Sequence, residues 1–128
     1  MPITIDRIDH IVLTVRDVAE TREFYERVLG MRAVQFGADG RTAFHFGRSK
    51  INLHQAGREF EPKASAPTPG SADFCLITPA SIEAVAAHLR SCGVEIILGP
   101  VPKEGAAGTL TSLYFRDPDG NLIEVATY

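Results

Sequence analysis

Cysteine is scarce in this chain. Cys75 and Cys92 are the only two and form no Cys-x-x-Cys pair, which excludes a disulfide scaffold and makes a reducing cytoplasm the expected compartment. Positive charge is not in excess either. Thirteen Lys plus Arg stand against sixteen Asp plus Glu, a formal charge of −3 scattered along the sequence. No basic stripe exists to neutralise a phosphate backbone, so nucleic acid is not an expected partner. No apolar stretch approaches the roughly 20 residues that span a bilayer, and Met1 to Arg7 lacks the basic region and long apolar run of a leader. The expectation is a soluble, unprocessed protein with no membrane partner. What the chain does have is ordinary globular composition, with 45% hydrophobic and 23% charged residues over 128 positions, enough for one domain with a real core.

The pattern along the chain repeats. Ile8 to Val15 is rich in β-branched residues and reads as a strand carrying His10. Asp17 offers an N-cap with Glu20 three residues on, and Val18, Phe24, Tyr25, Val28 and Leu29 recur at helical spacing up to Gly30. Residues 17 to 29 are therefore expected to be helix. Short strands are expected over 32 to 37, 41 to 47 and 50 to 55, with a turn at Ala38-Asp39-Gly40. The stretch from Gln55 to Gly70 holds Pro62, Pro67 and Pro69 without periodicity and reads as a connector. Then the order starts again: a strand from Asp73 to Thr78, a helix with Pro79 in its first turn closed by Gly93, and strands over 94 to 99, 110 to 116 and 121 to 127.

The spacing from His10 to Gly30 equals that from Asp73 to Gly93, so two βαβββ units keep register through their helices. Setting Lys50 to His54 against Gly120 to Glu124 makes His54 and Glu124 equivalent and gives the second copy seven extra residues, expected in a Gly99 to Gly108 loop. The fold class that follows is α+β, two tandem βαβββ modules whose curved mixed sheet surrounds a central cavity. Module one covers 6–56, the connector 57–70 and module two 71–128, all in one domain.

Four matched positions carry ligand-type side chains: His10, His54, Asp73 and Glu124. Strand alternation puts each on the face opposite its strongly apolar neighbours. Two imidazoles and two carboxylates suit a divalent ion such as zinc, nickel, manganese or ferrous iron, and an ion with exchangeable positions polarises substrate oxygens. His45 falls opposite Tyr114 in the same alignment, and either lines the cavity or packs. His88 is expected in solvent, and Arg116-Asp117-Pro118-Asp119-Gly120 reads as a tight turn. Arg58, Lys63 and Lys103 fall in expected loops, where they serve as solvated charges or hold an anionic substrate. Cys75 shares the cavity face, with nothing in the sequence near it to activate it.

The stretches Ile8-Asp9-His10-Ile11-Val12-Leu13-Thr14-Val15, Phe24-Tyr25 through Val28-Leu29-Gly30-Met31, and Tyr114-Phe115-Arg116-Asp117-Pro118-Asp119-Gly120-Asn121-Leu122-Ile123-Glu124 together resemble the vicinal oxygen chelate superfamily. That superfamily includes glyoxalase I, bleomycin and fosfomycin resistance proteins, and extradiol dioxygenases. Lys50 to Gly57 and Gly70 to Asp73 look most like its small, lactoylglutathione-lyase-like virulence proteins. The resemblance covers nearly the whole chain. It implies paired modules around a metal, usually in homodimers, with His10 as the first-strand ligand and Glu124 as the last-strand ligand. His54 and Asp73 depart from it, since glyoxalase I usually has glutamate at the first of these positions and histidine at the second. The implied activity is that of a metal-dependent glyoxalase-like lyase or isomerase acting on a small oxygen-chelating substrate such as a hemithioacetal. Glu124 would be the base, with Asp73 or neutral His54 serving instead if the ion holds Glu124 permanently. Two alternatives are a ferrous dioxygenase on His10, His54 and Glu124, and a non-catalytic module that binds small molecules or antibiotics.

Overall fold

The computed structural model describes residues 2–128. Its elements run β1 (His10–Val15), α1 (Val18–Leu29), β2 (Arg32–Phe36), β3 (Arg41–Phe46), β4 (Ser49–Gln55), β5 (Asp73–Ile77), α2 (Ile82–Ser91), β6 (Leu98–Gly105), β7 (Gly108–Arg116) and β8 (Leu122–Thr127). This is α+β with the βαβββ order twice. The chain divides into two compact units, one ending at Thr68 and one spanning Pro69–Tyr128. Each unit holds one four-stranded mixed sheet, ordered β1-β4-β3-β2 in the first and β5-β8-β7-β6 in the second.

In the first unit α1 starts where Asp17 accepts a hydrogen bond from the Glu20 amide at 3.1 Å and stops at Gly30, whose φ of 64° few other residues tolerate. Thr21, Tyr25 and Val28 form the buried stripe. Tyr25 stacks on Phe44 with centroids 4.9 Å apart, and both are fully buried together with Val15 and Ile51. Truncating such a ring to alanine costs about 3–5 kcal/mol. That packing consumes one face of the sheet and leaves His10, Val12 and Asn52 on the other.

The second unit repeats the plan with two corrections to the sequence reading. Pro79 lies outside α2, because Ser81 is the N-cap and accepts from the Ala84 amide at 3.2 Å. The strand expected over 94 to 99 runs instead from Leu98 to Gly105, through most of the expected loop. Pro100 and Pro102 are tolerated because β6 is an edge strand, and the ladder shifts register between Leu98 and Val101. Gly99, at φ 112°, fits that shift because a Cβ there would run into the Ser112 carbonyl. Lys103 accordingly sits in β6 with its ammonium over the Tyr114 ring, not in a loop. No helix among the described residues is long and apolar enough to cross a membrane.

Candidate functional site

Within each sheet the parallel central pair fixes which residues share a rung. In the first, His10 pairs with Lys50, Val12 with Asn52, and Thr14 with His54. In the second, Asp73 pairs with Leu122, and Cys75 with Glu124. Taking His10 and Asp73 as equivalent starts, the position matching Glu124 is Asn52, and the position matching His54 is Ala126. The expected equivalence of His54 with Glu124 is therefore corrected by two residues. Likewise Ala43, the partner of Asn52, matches Tyr114, the partner of Glu124, so His45 does not. The spacing is 42 from His10 to Asn52 and 51 from Asp73 to Glu124, so the second module is longer by nine residues, not seven.

The expected quartet divides accordingly. His10 and His54 lie four residues apart along paired strands, about 13 Å at roughly 3.3 Å per residue. His54 is 4% exposed. Its ring meets Phe60 edge to face at 5.5 Å. Burial, followed by the charge of Arg41, holds its pKa below the usual imidazole value. It is a neutral packed histidine. His10 is the opposite case: exposed, with Nδ1 2.9 Å from the Asp9 carboxylate. A hydrogen bond on Nδ1 fixes the ring and leaves Nε2 as the free donor atom, the arrangement that metal-binding histidines use. His10 in turn helps to hold the Asp9 carboxyl below the ordinary carboxylate value.

In the second unit Glu124 is the centre of a polar rung. Cys75 lies on one side and Tyr114 on the other, and the Cys75 thiol stands 4.0 Å from the Leu76 carbonyl. Loss of water, followed by the Glu124 charge, pushes the Cys75 thiol up to about 11. Loss of water, followed by the neighbouring Glu124 carboxylate, pushes the Tyr114 phenol upward as well. Both groups stay protonated at neutral pH beside Glu124. Asp73 lies one rung away on the same face, exposed.

The corresponding rung of the first unit, Val12, Asn52, Ala43 and Val34, supplies no such donors. Asn52 Oδ1 is buried there with no protein hydrogen-bond partner. Sequence reasoning missed Asn52 because an amide was not counted as a ligand type; the pairing register is the signal that finds it. Tested against a divalent ion, His10 and Glu124 have suitable donor chemistry, whereas His54 does not belong with His10. Among the described residues no group of three His, Cys, Asp or Glu side chains stands close enough to hold an ion.

Residues 7–125 match the family model of the Glyoxalase/Bleomycin resistance protein/Dioxygenase superfamily. The chain is 56% identical over 124 residues to virulence protein STM3117 of Salmonella typhimurium, covering 97% of this chain and 85% of that one. It is 49% identical over 126 residues to glyoxalase domain-containing protein RDO1 of Mycosarcoma maydis, covering 98% and 70% respectively. Among solved structures, an integron cassette protein from the mobile metagenome of V. cholerae superposes with a TM-score of 0.97 at 56% identity, over 100% of this chain and 99% of that chain. The two βαβββ modules, the register of their sheets and these likenesses agree: this chain belongs to the glyoxalase/bleomycin resistance/dioxygenase superfamily.

Proposed function

We propose that the protein is a metal-dependent glyoxalase-like enzyme, a lyase or isomerase that moves a proton between adjacent carbons of a small oxygen-chelating substrate such as an aldehyde–thiol hemithioacetal. The observation that carries this reading is the Glu124 rung. A carboxylate in mid-strand, flanked on the two neighbouring strands by the neutral polar side chains of Tyr114 and Cys75, is a candidate proton acceptor. Glu124 takes the proton from C1 of the hemithioacetal and returns it to C2, giving the 2-hydroxy thioester with no gain or loss of atoms.

A divalent ion (zinc, nickel, manganese or ferrous iron), when bound, polarises neighbouring substrate oxygens and acidifies the C–H bond beside them. His10, Asp73 and Glu124 are the donors we assign to it. His54 is given a packing role, which weighs against a dioxygenase site built on His10, His54 and Glu124. A homodimer is part of the proposal, because β1 and β5 are open sheet edges carrying the exposed apolar residues Val12 and Ile77; a monomeric mass in dilute solution would remove it.

The test is elemental analysis of untagged protein, repletion with each of the four metals, and assay of hemithioacetal isomerisation. Metal-dependent turnover that is lost in Glu124→Gln supports the reading. Saturable binding without turnover under any metal assigns the chain to the non-catalytic, small-molecule-binding branch instead.

A further inference from the structure

A cavity of about 350 Å³ in the first unit lies at the end of the sheet where β4 finishes and β3 begins, the end remote from His10. We propose that it is a binding site for a small organic anion, one with a carboxylate or phosphate on a compact apolar body, distinct from the Glu124 rung.

Two guanidinium groups, those of Arg41 and Arg58, line the cavity, and no carboxylate does. Arg41 is held in place with its guanidinium 4.2 Å over the Phe60 ring. This orders a long side chain before any ligand arrives and so lowers the entropic cost of binding. Asp39 pairs with Arg41 itself, at 3.4 Å to Nε. The other acids nearby are engaged elsewhere: Glu59 and Glu61 face Lys63 at 3.7 and 3.3 Å, and Glu59 also accepts from the Gly57 amide. Arg58 makes no ion pair with any described residue. Gln55 is pinned as well, with its amide NH₂ on the Arg16 carbonyl and its oxygen facing the Val18 amide.

Phe60 and Leu53 add apolar wall, while Gln35 and Thr42 supply neutral polar groups. A mostly preformed concavity with a few convergent polar groups and a volume within roughly 300–1,000 Å³ is the general form of a small-molecule site. Two arginines facing the same space select an oxyanion, which a guanidinium grips by paired hydrogen bonds.

The experiment is an NMR titration of the uniformly ¹⁵N-labelled full chain with benzoate, phenyl phosphate and the neutral analogue benzyl alcohol. The expected result is saturable binding of at least one anion and weaker or no binding of benzyl alcohol. Shift changes should centre on Gln55, Arg58 and Phe60. Arg58→Gln, at an exposed position, should weaken binding by about tenfold or more at unchanged Tm. Whichever anion binds more tightly identifies the ligand as carboxylate or phosphate. Equal affinity for benzyl alcohol, no saturation by either anion, or undiminished binding in both Arg58→Gln and Arg41→Gln would overturn the proposal.

Discussion

Asn52 holds in the first sheet the rung that Glu124 holds in the second, but their neighbours differ in kind. Glu124 lies between Cys75 and Tyr114, both polar, whereas Asn52 lies between Val12 and Ala43, both apolar. One copy of the repeat thus carries a charge among polar neighbours, and the other a neutral acceptor with its oxygen unsatisfied.

Asn52→Leu tests that difference directly. A buried carbonyl without a partner costs about 1–3 kcal/mol, so an apolar side chain of similar size should leave Tm unchanged or raise it. A lower Tm would show instead that the Asn52 oxygen is hydrogen-bonded in solution.

Glu124→Gln keeps the shape of the side chain and removes its basicity. Loss of a general base typically costs about 10²–10⁴ in rate, and kcat should carry that loss, with KM little changed. Tyr114→Phe removes the hydroxyl beside Glu124 and should have a smaller effect, about tenfold. If Glu124→Gln retained wild-type kcat in the metal-repleted protein, Glu124 would not be the base.

The thiol beside Glu124 provides a readout independent of turnover. With its pKa pushed up to about 11 from the ordinary 9.0, Cys75 has roughly a hundredfold less thiolate at pH 8 than a free thiol. In a Cys92→Ala background, alkylation by iodoacetamide should be slow despite the exposure of Cys75, and should accelerate only toward pH 11. Glu124→Gln removes the repelling charge and should speed the reaction at pH 8. Mass spectrometry of the alkylated chain measures both rates.

Most elements were legible in the sequence: Asp17 and Gly30 bound α1 and the Gly93 spacing revealed the repeat, but the start of α2 was not, because Pro79 stands just before the true N-cap, Ser81. Strand faces were legible from alternation, which put His10 and Glu124 on their correct sides. Register was not, and the reason is physical. A slip of one residue would reverse every face and betray itself, but a slip of two preserves every face. His54 therefore looked as well placed as Asn52. Only the Val12–Asn52 and Cys75–Glu124 pairings distinguish them. Strand β6 was misread for a different reason: Pro100 and Pro102 suggest loop, yet an edge strand has an unpaired side on which a missing N–H costs nothing.

His54 makes the first unit sensitive to acid. Its folded-state pKa lies below the ordinary imidazole value, so on acidification the unfolded chain takes up the proton first. Stability is complete above the unfolded pKa of about 6.5 and falls as pH drops through that value toward the folded pKa. Denaturant melts between pH 8 and 5 should show a falling midpoint, and His54→Gln should flatten the curve below pH 6.5. An equal slope in both proteins would assign the acid sensitivity to other groups.

The turn before β8 is predicted to be the most fragile polar element of the second unit. Asp117, 5% exposed, accepts from the Asp119 and Asn121 amides through Oδ1 at 2.9 Å each, and from Asn121 Nδ2 through Oδ2 at 2.8 Å. Asn121 Oδ1 then accepts from the Ala72 amide at 2.9 Å, which ties the turn to the start of β5. Asp117→Ala strands these buried donors and should cost about 2–4 kcal/mol. Asp117→Asn keeps an acceptor for the two amides and should cost less. Because β5 and β8 are paired through Leu122, the Ala72 amide should exchange with solvent faster in Asp117→Ala, while the Tyr25 and Phe44 amides of the first unit stay protected. Uniformly faster exchange across both units would show instead that the turn stabilises the chain as a whole.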